Sequence, residues 1–301
     1  MITELHKNFN LTVFTPSYNR AHLLPRCYES MKRQDCKDFV WMIIDDGSTD
    51  NTAELVRTWQ AEDNGFEIIY IYKENGGMHT AHNCAYEHIT TELNVCIDSD
   101  DCLADGAVGK ILKFWAENGN DSYAGMLALD SDMDGNIIGK GFPEGLAEST
   151  LEGYYANGGK GDKKLIYRTE VITKYPPYPV FEGEKFVALG YKYALCDDDY
   201  KLLVLDEIIC NVEYQPDGST QNMLRQYRNN PNGWAFMRKF HMTRSPSAKR
   251  MLQLNIHYVS SCIFAKKRHY IKESPARAWT VLAYPFGLAF NIYIKFKTRK
   301  K

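Results

Sequence analysis

Residues 39–50 read FVWMIIDDGSTD, an apolar run that ends in two aspartates and a glycine. The run from Phe39 to Ile44 has no alternation of polar and apolar side chains, which predicts a strand buried on both faces of a sheet. Asn51 can cap a helix that continues to about residue 61, and Glu54 can reach back to the same helix start. The stretch therefore predicts a strand, a polar loop and a helix in succession.

The same succession recurs on both sides of this stretch. Further strands are predicted at 11–15, 67–72, 93–97 and 124–129, and further helices at 22–33, 78–88 and 106–116. This alternation predicts an α/β fold, with a Rossmann-like, mainly parallel sheet flanked by helices. After residue 130 the order breaks. A long loop is expected at 139–163, strands at 164–168 and 201–210, and a helix at 186–194.

The composition is that of a globular protein, with 301 residues of which 44% are hydrophobic and 25% charged. This usage excludes disordered, collagen-like and low-complexity chains. The eight cysteines form no CxxC pair, which favours reduced, buried thiols in a cytoplasmic protein. The first residues lack the basic-then-apolar pattern of a signal peptide, so export is not expected.

Charge is unevenly distributed along the chain. Residues 224–301 hold 17 Lys and Arg and a single acid, whereas the whole chain has a net charge of −2. Residues 278–294 are uncharged and aromatic, are followed by five bases, and are expected to be interrupted at Pro285 and Gly287. This pattern favours peripheral binding to an anionic membrane surface on its cytoplasmic side. The alternative is a helix packed on the rest of the protein. Nucleic acid is not an expected partner, because the aromatics are not interleaved with the bases.

Polar loops follow each of the first four predicted strands. These strand-end loops, at 15–19, 45–50, 74–77 and 98–101, contain no lysine. Ligands of open parallel sheets bind beyond the carboxyl ends of the strands, so the four loops predict one binding site.

The last loop carries three carboxylates within four residues, Asp98, Asp100 and Asp101. These carboxylates repel one another unless a cation lies among them, and their oxygens are suitable ligands for Mg²⁺ or Mn²⁺. Because Mg²⁺ is held by one or two carboxylates plus substrate phosphates, a phosphate-bearing substrate is predicted. The alternative is a solvated turn that caps the next helix. No P-loop and no GxGxxG motif is present, which weakens ATPase and nicotinamide-dependent functions.

These motifs together resemble the family 2 glycosyltransferases, which have the GT-A fold and use nucleotide-activated sugars. The resemblance rests on TPSYN at 15–19, IDDGSTD at 44–50, NGG at 75–77 with AHN at 81–83, and IDSDD at 97–101. A looser similarity, to enzymes of bacterial surface polysaccharide synthesis, covers 161–163, 181–186, 213–214 and 217–219. The resemblance implies a GT-A domain at 1–222, followed by a basic, aromatic, helical extension at 223–301.

The resemblance also implies roles for individual residues. Thr15, Pro16 and Tyr18 would line the nucleoside pocket, and Asp46, with Asp45, would meet the base, for which uracil is chemically suitable. The residues implied for the nucleotide-sugar as a whole are Thr15, Pro16, Tyr18, Asp45, Asp46, Asn75, Gly76, Gly77, Asp98 and Ser99. Asp98 and Asp100 match the DxD motif that binds the metal and diphosphate, and Asp101 could take a ligand role instead.

Glu184 is the implied catalytic base, although the Glu-Asp pair of many members is Glu184-Lys185 here. Glu182, Asp162 and Asp198 therefore stay open as alternatives. One base and one displacement would invert the anomeric centre. The QxxRW motif of processive synthases is absent, which favours the addition of one sugar per encounter.

The predicted function is metal-dependent, inverting transfer of a hexosyl or N-acetylhexosaminyl group from a UDP-sugar to a glycan or lipid-linked acceptor. Two alternatives remain. One is a nucleotide-binding scaffold that has lost its base. The other is a sugar-phosphate nucleotidyltransferase, which would need a Gly-rich loop with Arg and Lys after the first strand.

Overall fold

The computed structural model describes residues 9–215, 223–245 and 247–299. Over these ranges the chain divides into two compact units. One lies within Met1–Pro177 and Lys192–Tyr214, and the other lies within Tyr178–Tyr191 and Gln215–Lys301. The segment 178–191 groups with the C-terminal helices, although the sequence places it inside the predicted domain 1–222.

The first unit alternates strands and helices through its first half. Its elements there are β1 (Leu11–Ser17), α1 (Leu24–Lys32), β2 (Phe39–Asp45), α2 (Thr52–Gln60), β3 (Glu67–Tyr72), α3 (Met78–His88), β4 (Leu93–Cys96), β5 (Cys102–Leu103), α4 (Ala107–Asn118) and β6 (Tyr123–Ser131). The remaining elements are β7 (Glu148–Ser149), α5 (Leu151–Ala156), β8 (Lys163–Arg168), α6 (Thr169–Ile172), α7 (Gly190–Asp199) and β9 (Lys201–Asn211).

The strands form one sheet in the order β3-β2-β1-β4-β8-β6-β9-β5, with β7 paired to β9. The first four strands in this order are parallel, which confirms the predicted α/β sheet. Strand β8 runs antiparallel between β4 and β6, so the second half of the sheet is mixed. The carboxyl ends of β1, β2, β3 and β4 therefore lie along one edge.

Stacked aromatic side chains pack helices α1 and α2 against strand β2 of the sheet. Every residue of β2 is buried, as its unbroken apolar sequence predicts. Tyr28 of α1 stacks on Trp59 of α2 with ring centroids 4.3 Å apart, and Trp41 of β2 lies 6.0 Å from Tyr28. Contacts of this kind hold both helices on the sheet and so set where the strand-end loops emerge.

Three local predictions in the first unit are wrong. The side chain of Asn51 does not cap α2; Asp50 does, because its Oδ1 accepts hydrogen bonds from the N–H and hydroxyl of Thr52. The predicted loop 139–163 contains β7 and α5, whose first turn is capped by Thr150. The helix expected at 186–194 is α7, which begins four residues later at Gly190 and ends at Asp199.

The second unit is helical, as predicted for the C-terminal extension. Its helices are α8 (Met223–Asn229), α9 (Pro231–Met242), α10 (Ala248–Phe264), α11 (Tyr270–Glu273) and α12 (Arg277–Lys297). The expected interruption of the last helix at Pro285 and Gly287 is wrong, because α12 is continuous. A Cβ on Gly287 would lie 2.5 Å from Cβ of Val259, so glycine lets α12 approach α10 closely. Among the helices of the described ranges, none combines the length and apolar character that crossing a membrane requires.

Candidate active site

The loops after β1 and β2 are joined by hydrogen bonds between their tips. Asn19, whose φ is +53°, accepts a hydrogen bond at Oδ1 from the N–H of Thr49 (2.8 Å) and donates its own N–H to Oγ of Ser48 (2.8 Å). Asp45 at the end of β2 accepts the N–H of Ser48 at Oδ1 (2.7 Å). Two of these hydrogen bonds connect the loop after β1 to the loop after β2.

Asp46 joins the loop after β2 to the loop after β3. Its buried carboxylate accepts the N–H groups of Gly76 (2.9 Å) and Gly77 (2.7 Å) and pairs with Nζ of Lys73 (2.5 Å). Gly47 has a φ of +82°, and a Cβ there would lie 2.7 Å from the backbone N of Asn75. The close approach of the two loops thus depends on a glycine at 47.

The structure places the residues implied for the nucleoside in contrasting environments. Thr15 is fully buried, and its Oγ1 accepts a hydrogen bond from Nε1 of Trp41 (3.0 Å). Pro16 is buried beside it, whereas Tyr18 is 48% exposed. Asp45 accepts the Tyr70 hydroxyl at Oδ2. Contacts of these residues with a nucleotide stay a prediction.

The acidic loop after β4 has two half-buried carboxylates, Asp98 and Asp100, and one that is buried, Asp101. Burial, and then repulsion by Asp98, raise the pKa of Asp100. Burial is also the main cause that raises the pKa of Asp101 to about 7. The carboxylate of Asp101 accepts the N–H of Glu213 at Oδ1 (3.3 Å), and Sγ of Cys210 lies 3.9 Å from its Oδ2. Asp101 thereby ties the loop to the end of β9.

Three charged residues near this loop were not predicted from the sequence. Lys164 on β8 lies with Nζ 3.8 Å from Oδ1 of the buried Asp130 on β6. Arg26 on α1 donates from Nη2 to the carbonyl of Asp100 and pairs through Nη1 with Glu213 (2.7 Å). We refer to Asp98, Asp100, Asp101, Asp130 and Lys164 as the carboxylate cluster. An aspartate directly after the apolar run at 124–129 was the signal that could have revealed part of it.

The carboxylate cluster fits a divalent cation that is bound together with a phosphate. Within the residues described, no group of three or more His, Cys, Asp or Glu side chains is placed to hold a metal ion. Mg²⁺ and Mn²⁺ sites of nucleotide enzymes commonly use one or two carboxylates and complete their shell with phosphate oxygens and water. Asp98 and Asp100 can supply those carboxylates. Burial and the neighbouring Asp98 raise the pKa of Asp100, although Arg20 and Arg26 lower it, so a bound cation would favour the ionised carboxylate.

Glu184, the implied base, lies in the second unit at the start of α9. Its Oε1 accepts from the backbone N–H (2.8 Å) and Nδ2 (2.7 Å) of Asn232, and its Oε2 accepts the N–H of Gly233 (2.8 Å). The side chain is 8% exposed. Glu184 therefore satisfies N–H groups at the helix N-terminus, a role that the sequence did not predict.

The alternative bases differ in their surroundings. Glu182 and Asp198 are exposed. Asp162, just before β8, accepts the hydroxyl of Tyr214 (3.1 Å) at Oδ2. Burial, followed by Asp162, raises the pKa of Tyr214 to about 12, and Asp130 and Asp101 contribute to the same shift. Asp162 thus lies in the electrostatic neighbourhood of the carboxylate cluster. The choice among these four carboxylates as the base stays a prediction.

Comparison with known proteins agrees with this arrangement. The family model described as "Glycosyl transferase family 2" matches residues 12–171. The chondroitin synthase of Pasteurella multocida (strain Pm70) is 29% identical over 140 residues, which are 46% of this chain and 14% of that protein. A Campylobacter jejuni enzyme named GalNAc(5)-diNAcBac-PP-undecaprenol beta-1,3-glucosyltransferase is 26% identical over 136 residues, which are 44% of this chain and 43% of that protein. The match thus spans less than half the length of these relatives.

Two solved structures share the fold over nearly the whole chain. S. aureus TarS 1-349 in complex with UDP-GlcNAc superposes with a TM-score of 0.58 at 15% identity, covering 97% of this chain and 92% of that one. The mannosyltransferase PcManGT from Pyrobaculum calidifontis, in complex with GDP-Man and Mn²⁺, gives a TM-score of 0.57 at 15% identity, covering 96% and 88%. These likenesses confirm the predicted GT-A fold. Because the family model matches more than half of its residues, the chain belongs to glycosyl transferase family 2.

Proposed function

We propose that the chain transfers a sugar from a nucleotide-sugar, most suitably a UDP-sugar, to a glycan or lipid-linked acceptor in surface polysaccharide synthesis. One observation carries the proposal: Asp46 and Asn19 join three strand-end loops at the sheet edge where the carboxylate cluster also lies. The UDP-GlcNAc complex of TarS supports a UDP-linked donor. The undecaprenol-linked substrate in the name of the Campylobacter enzyme supports a lipid-linked acceptor.

In the proposed donor site, the chain binds the diphosphate of the nucleotide-sugar through a divalent cation. Asp98 and Asp100 would hold Mn²⁺ or Mg²⁺, as the Mn²⁺ in the PcManGT complex suggests. When bound, that ion supplies Lewis-acid stabilisation of the diphosphate leaving group. Asp101 would contribute by keeping the loop fixed to the end of β9, and Asn75, Gly76 and Gly77 by placing backbone groups beside the nucleotide.

On the acceptor side, we propose Glu184 as the base that takes the proton of the attacking hydroxyl. A carboxylate has about four lone-pair sites, and three hydrogen bonds from the start of α9 occupy three of them. One site is left for a substrate hydroxyl, and the capping contacts hold the carboxylate in place. A single displacement assisted by one base inverts the anomeric centre.

Calorimetric titration of the full chain with UDP tests the donor site. We expect binding in Mn²⁺ and loss of binding in EDTA or in Asp100→Asn, because the diphosphate would then face unscreened carboxylates. Asp105→Asn is the matched control, since Asp105 lies five residues further on and only pairs with Arg33 at the surface. Equal UDP affinity in Mn²⁺ and EDTA would refute the metal assignment, and no binding under either condition would refute the donor site.

Glu184→Gln tests the base. We expect donor binding to persist and transfer to fall by about 10²–10⁴-fold, because an amide cannot accept the proton. Asp197→Asn is the control for disturbing a helix start, since Asp197 caps α5 through the N–H groups of Leu151 and Glu152. Full turnover in Glu184→Gln would move the role to Glu182, Asp162 or Asp198.

We further propose that α12 binds an anionic membrane surface from its cytoplasmic side. One face of α12 packs within the second unit through Thr280, Ala283, Gly287, Asn291 and Ile294. Exposed apolar residues lie along the rest, namely Val281, Leu282, Tyr284, Phe286, Leu288, Ile292, Tyr293 and Phe296. Bases near the end of the helix suit anionic lipid, at about 1 kcal/mol for each one engaged.

Sedimentation with phosphatidylglycerol vesicles at low salt tests this membrane proposal. We expect the full chain to bind, and a double change of Phe286→Asp and Phe296→Asp to release it. Val180→Asp, at another exposed apolar position of the second unit, should leave binding unchanged. If the unaltered chain ignores these vesicles, the membrane proposal fails while the transferase proposal stands.

A further inference from the structure

A cavity of about 300 Å³ lies in the second unit, between α8, α9 and α10. It is separate in sequence from the strand-end loops, and no role assigned above uses it. Its polar lining consists of Tyr227, Trp234, Arg238, Arg250, Gln253 and His257. We call it the arginine cavity.

The arginine cavity contains two positive charges and no negative one. In the described ranges, neither Arg238 nor Arg250 forms an ion pair with a carboxylate. The sequence offers few partners, since Glu273 is the single acid between residues 224 and 301. Arg250 donates to Oε1 of Gln253 (2.9 Å), a neutral group that leaves the charge uncompensated.

Two hydrogen-bond donors of the cavity lining also lack a partner among the described residues. Nε of Arg238 and Nε1 of Trp234 are buried and make no hydrogen bond to any residue that the structure describes. The guanidinium of Arg238 lies over two rings, with Cζ 4.8 Å from the centroid of Trp234 and 5.9 Å from that of Tyr227. Cation–π contact offsets part of the cost of burying this charge, but it satisfies no N–H group. A half-buried guanidinium with no carboxylate partner among the described residues is costly to maintain unless an anion pairs with it.

Burial and the charges of these arginines lower the pKa of two nearby histidines. Burial, and then the charges of Arg238 and Arg250, lower the pKa of His257 to about 4. The pKa of His241 is lowered to about 4 by burial and by the arginines at 238, 250 and 244. At neutral pH His257 is therefore uncharged and offers one N–H donor to the cavity.

We propose that the arginine cavity binds a phosphate group, held by the guanidinium groups of Arg238 and Arg250 with Trp234 Nε1 and His257 as neutral donors. A phosphate monoester carries nearly two negative charges at neutral pH, which matches two guanidinium groups, whereas a carboxylate carries one. Arginine pairs with phosphate through two parallel N–H bonds, and phosphate oxygens remain for the indole and imidazole donors. The phosphate can belong to a soluble ester or to a lipid headgroup. This inference does not depend on the proposed transferase activity.

Titration of the full chain with inorganic pyrophosphate, followed by calorimetry and by NMR of the histidine side chains, tests the site. We expect Arg250→Gln to weaken binding by at least about tenfold, since it removes a charge-assisted contact. Lys249→Gln makes the same charge change at an exposed neighbour outside the lining and should leave the affinity unchanged. Arg238→Lys keeps the charge but not the planar fork, and should also weaken binding. In the unaltered chain, pyrophosphate should raise the pKa of His257, because a bound anion favours the imidazolium.

Binding to phosphatidic acid vesicles distinguishes a lipid headgroup from a soluble phosphate ester as the ligand. Arg250→Gln should reduce binding to phosphatidic acid vesicles more than Lys249→Gln does if the ligand is a headgroup. If the ligand is soluble, the two variants should bind those vesicles equally while still differing with pyrophosphate. The inference is overturned if both variants bind pyrophosphate alike, if acetate binds as tightly as pyrophosphate, or if His257 does not respond.

Discussion

Replacing Asp101 by asparagine should make the apo protein more stable at high pH. The carboxylate is 5% exposed, and burial is the main cause that raises its pKa from 3.8 to about 7. Above pH 7 the native state must therefore hold an ionised group in a place that favours the neutral form. Asparagine keeps the shape and an oxygen to accept the N–H of Glu213, but it carries no charge.

The sign of the pH dependence follows from proton binding. Between the unfolded pKa and the native pKa, the native state holds a proton that the unfolded state has lost, so the free energy of unfolding falls as pH rises. Each pH unit in this window costs about 1.4 kcal/mol, so the wild type should lose about 2 kcal/mol relative to Asp101→Asn between pH 5.5 and pH 8. Below about pH 3 the difference between the two proteins should no longer change with pH, because the carboxyl is then largely protonated in both states.

Urea denaturation in EDTA across this pH range measures the difference. Asp63→Asn is the matched control, since it makes the same charge change at an exposed position of the first unit. A constant difference between wild type and Asp101→Asn from pH 5.5 to 8 would refute the reasoning. A wild type that gains stability relative to Asp101→Asn over the same range would also refute it.

Three further changes probe the contacts that hold the site and the second unit. Gly47→Ala should lower the free energy of unfolding by about 1–3 kcal/mol and weaken UDP binding, because φ is +82° and the new Cβ would press on Asn75; urea denaturation and calorimetry check this. Lys73→Met should cost about 2 kcal/mol in the same denaturation assay, since it removes a charged hydrogen bond from the buried Asp46. Thr280→Val should cost about 1–3 kcal/mol, because it leaves Oδ1 of Asn255 without its donor between α10 and α12; thermal denaturation of the variant checks this.

The first half of the fold could be predicted because its signals are local. An unbroken apolar run such as 39–44 can be satisfied by a central strand, and a polar loop after each strand marks the same edge of a parallel sheet. The predicted helix at 78–88 coincides with α3, since the Gly76-Gly77 turn fixes where that helix begins. The motif residues therefore lie at the edge where the sequence placed them.

The second half depends on contacts between residues that are distant in sequence. Strand β8 pairs antiparallel between β4 and β6, and nothing within 163–168 shows which strands are its neighbours. The same limit applies to Glu184. Its partners Asn232 and Gly233 lie 48 and 49 residues further along the chain. A helix cap across such a separation leaves no periodic pattern to detect.

The carboxylate cluster, which we propose to bind a cation, is held at a cost to stability. Asp130 and Lys164 are both largely buried, and burial raises the pKa of Asp100, Asp101 and Asp130. Lys164 offsets part of this repulsion, since its charge lowers the pKa of Asp101 and of Asp130. A cation and a diphosphate that bind here would relieve the remainder, so part of their binding free energy would appear as added stability of the folded chain. That stabilisation should be smaller in Asp101→Asn, because less repulsion is left to relieve.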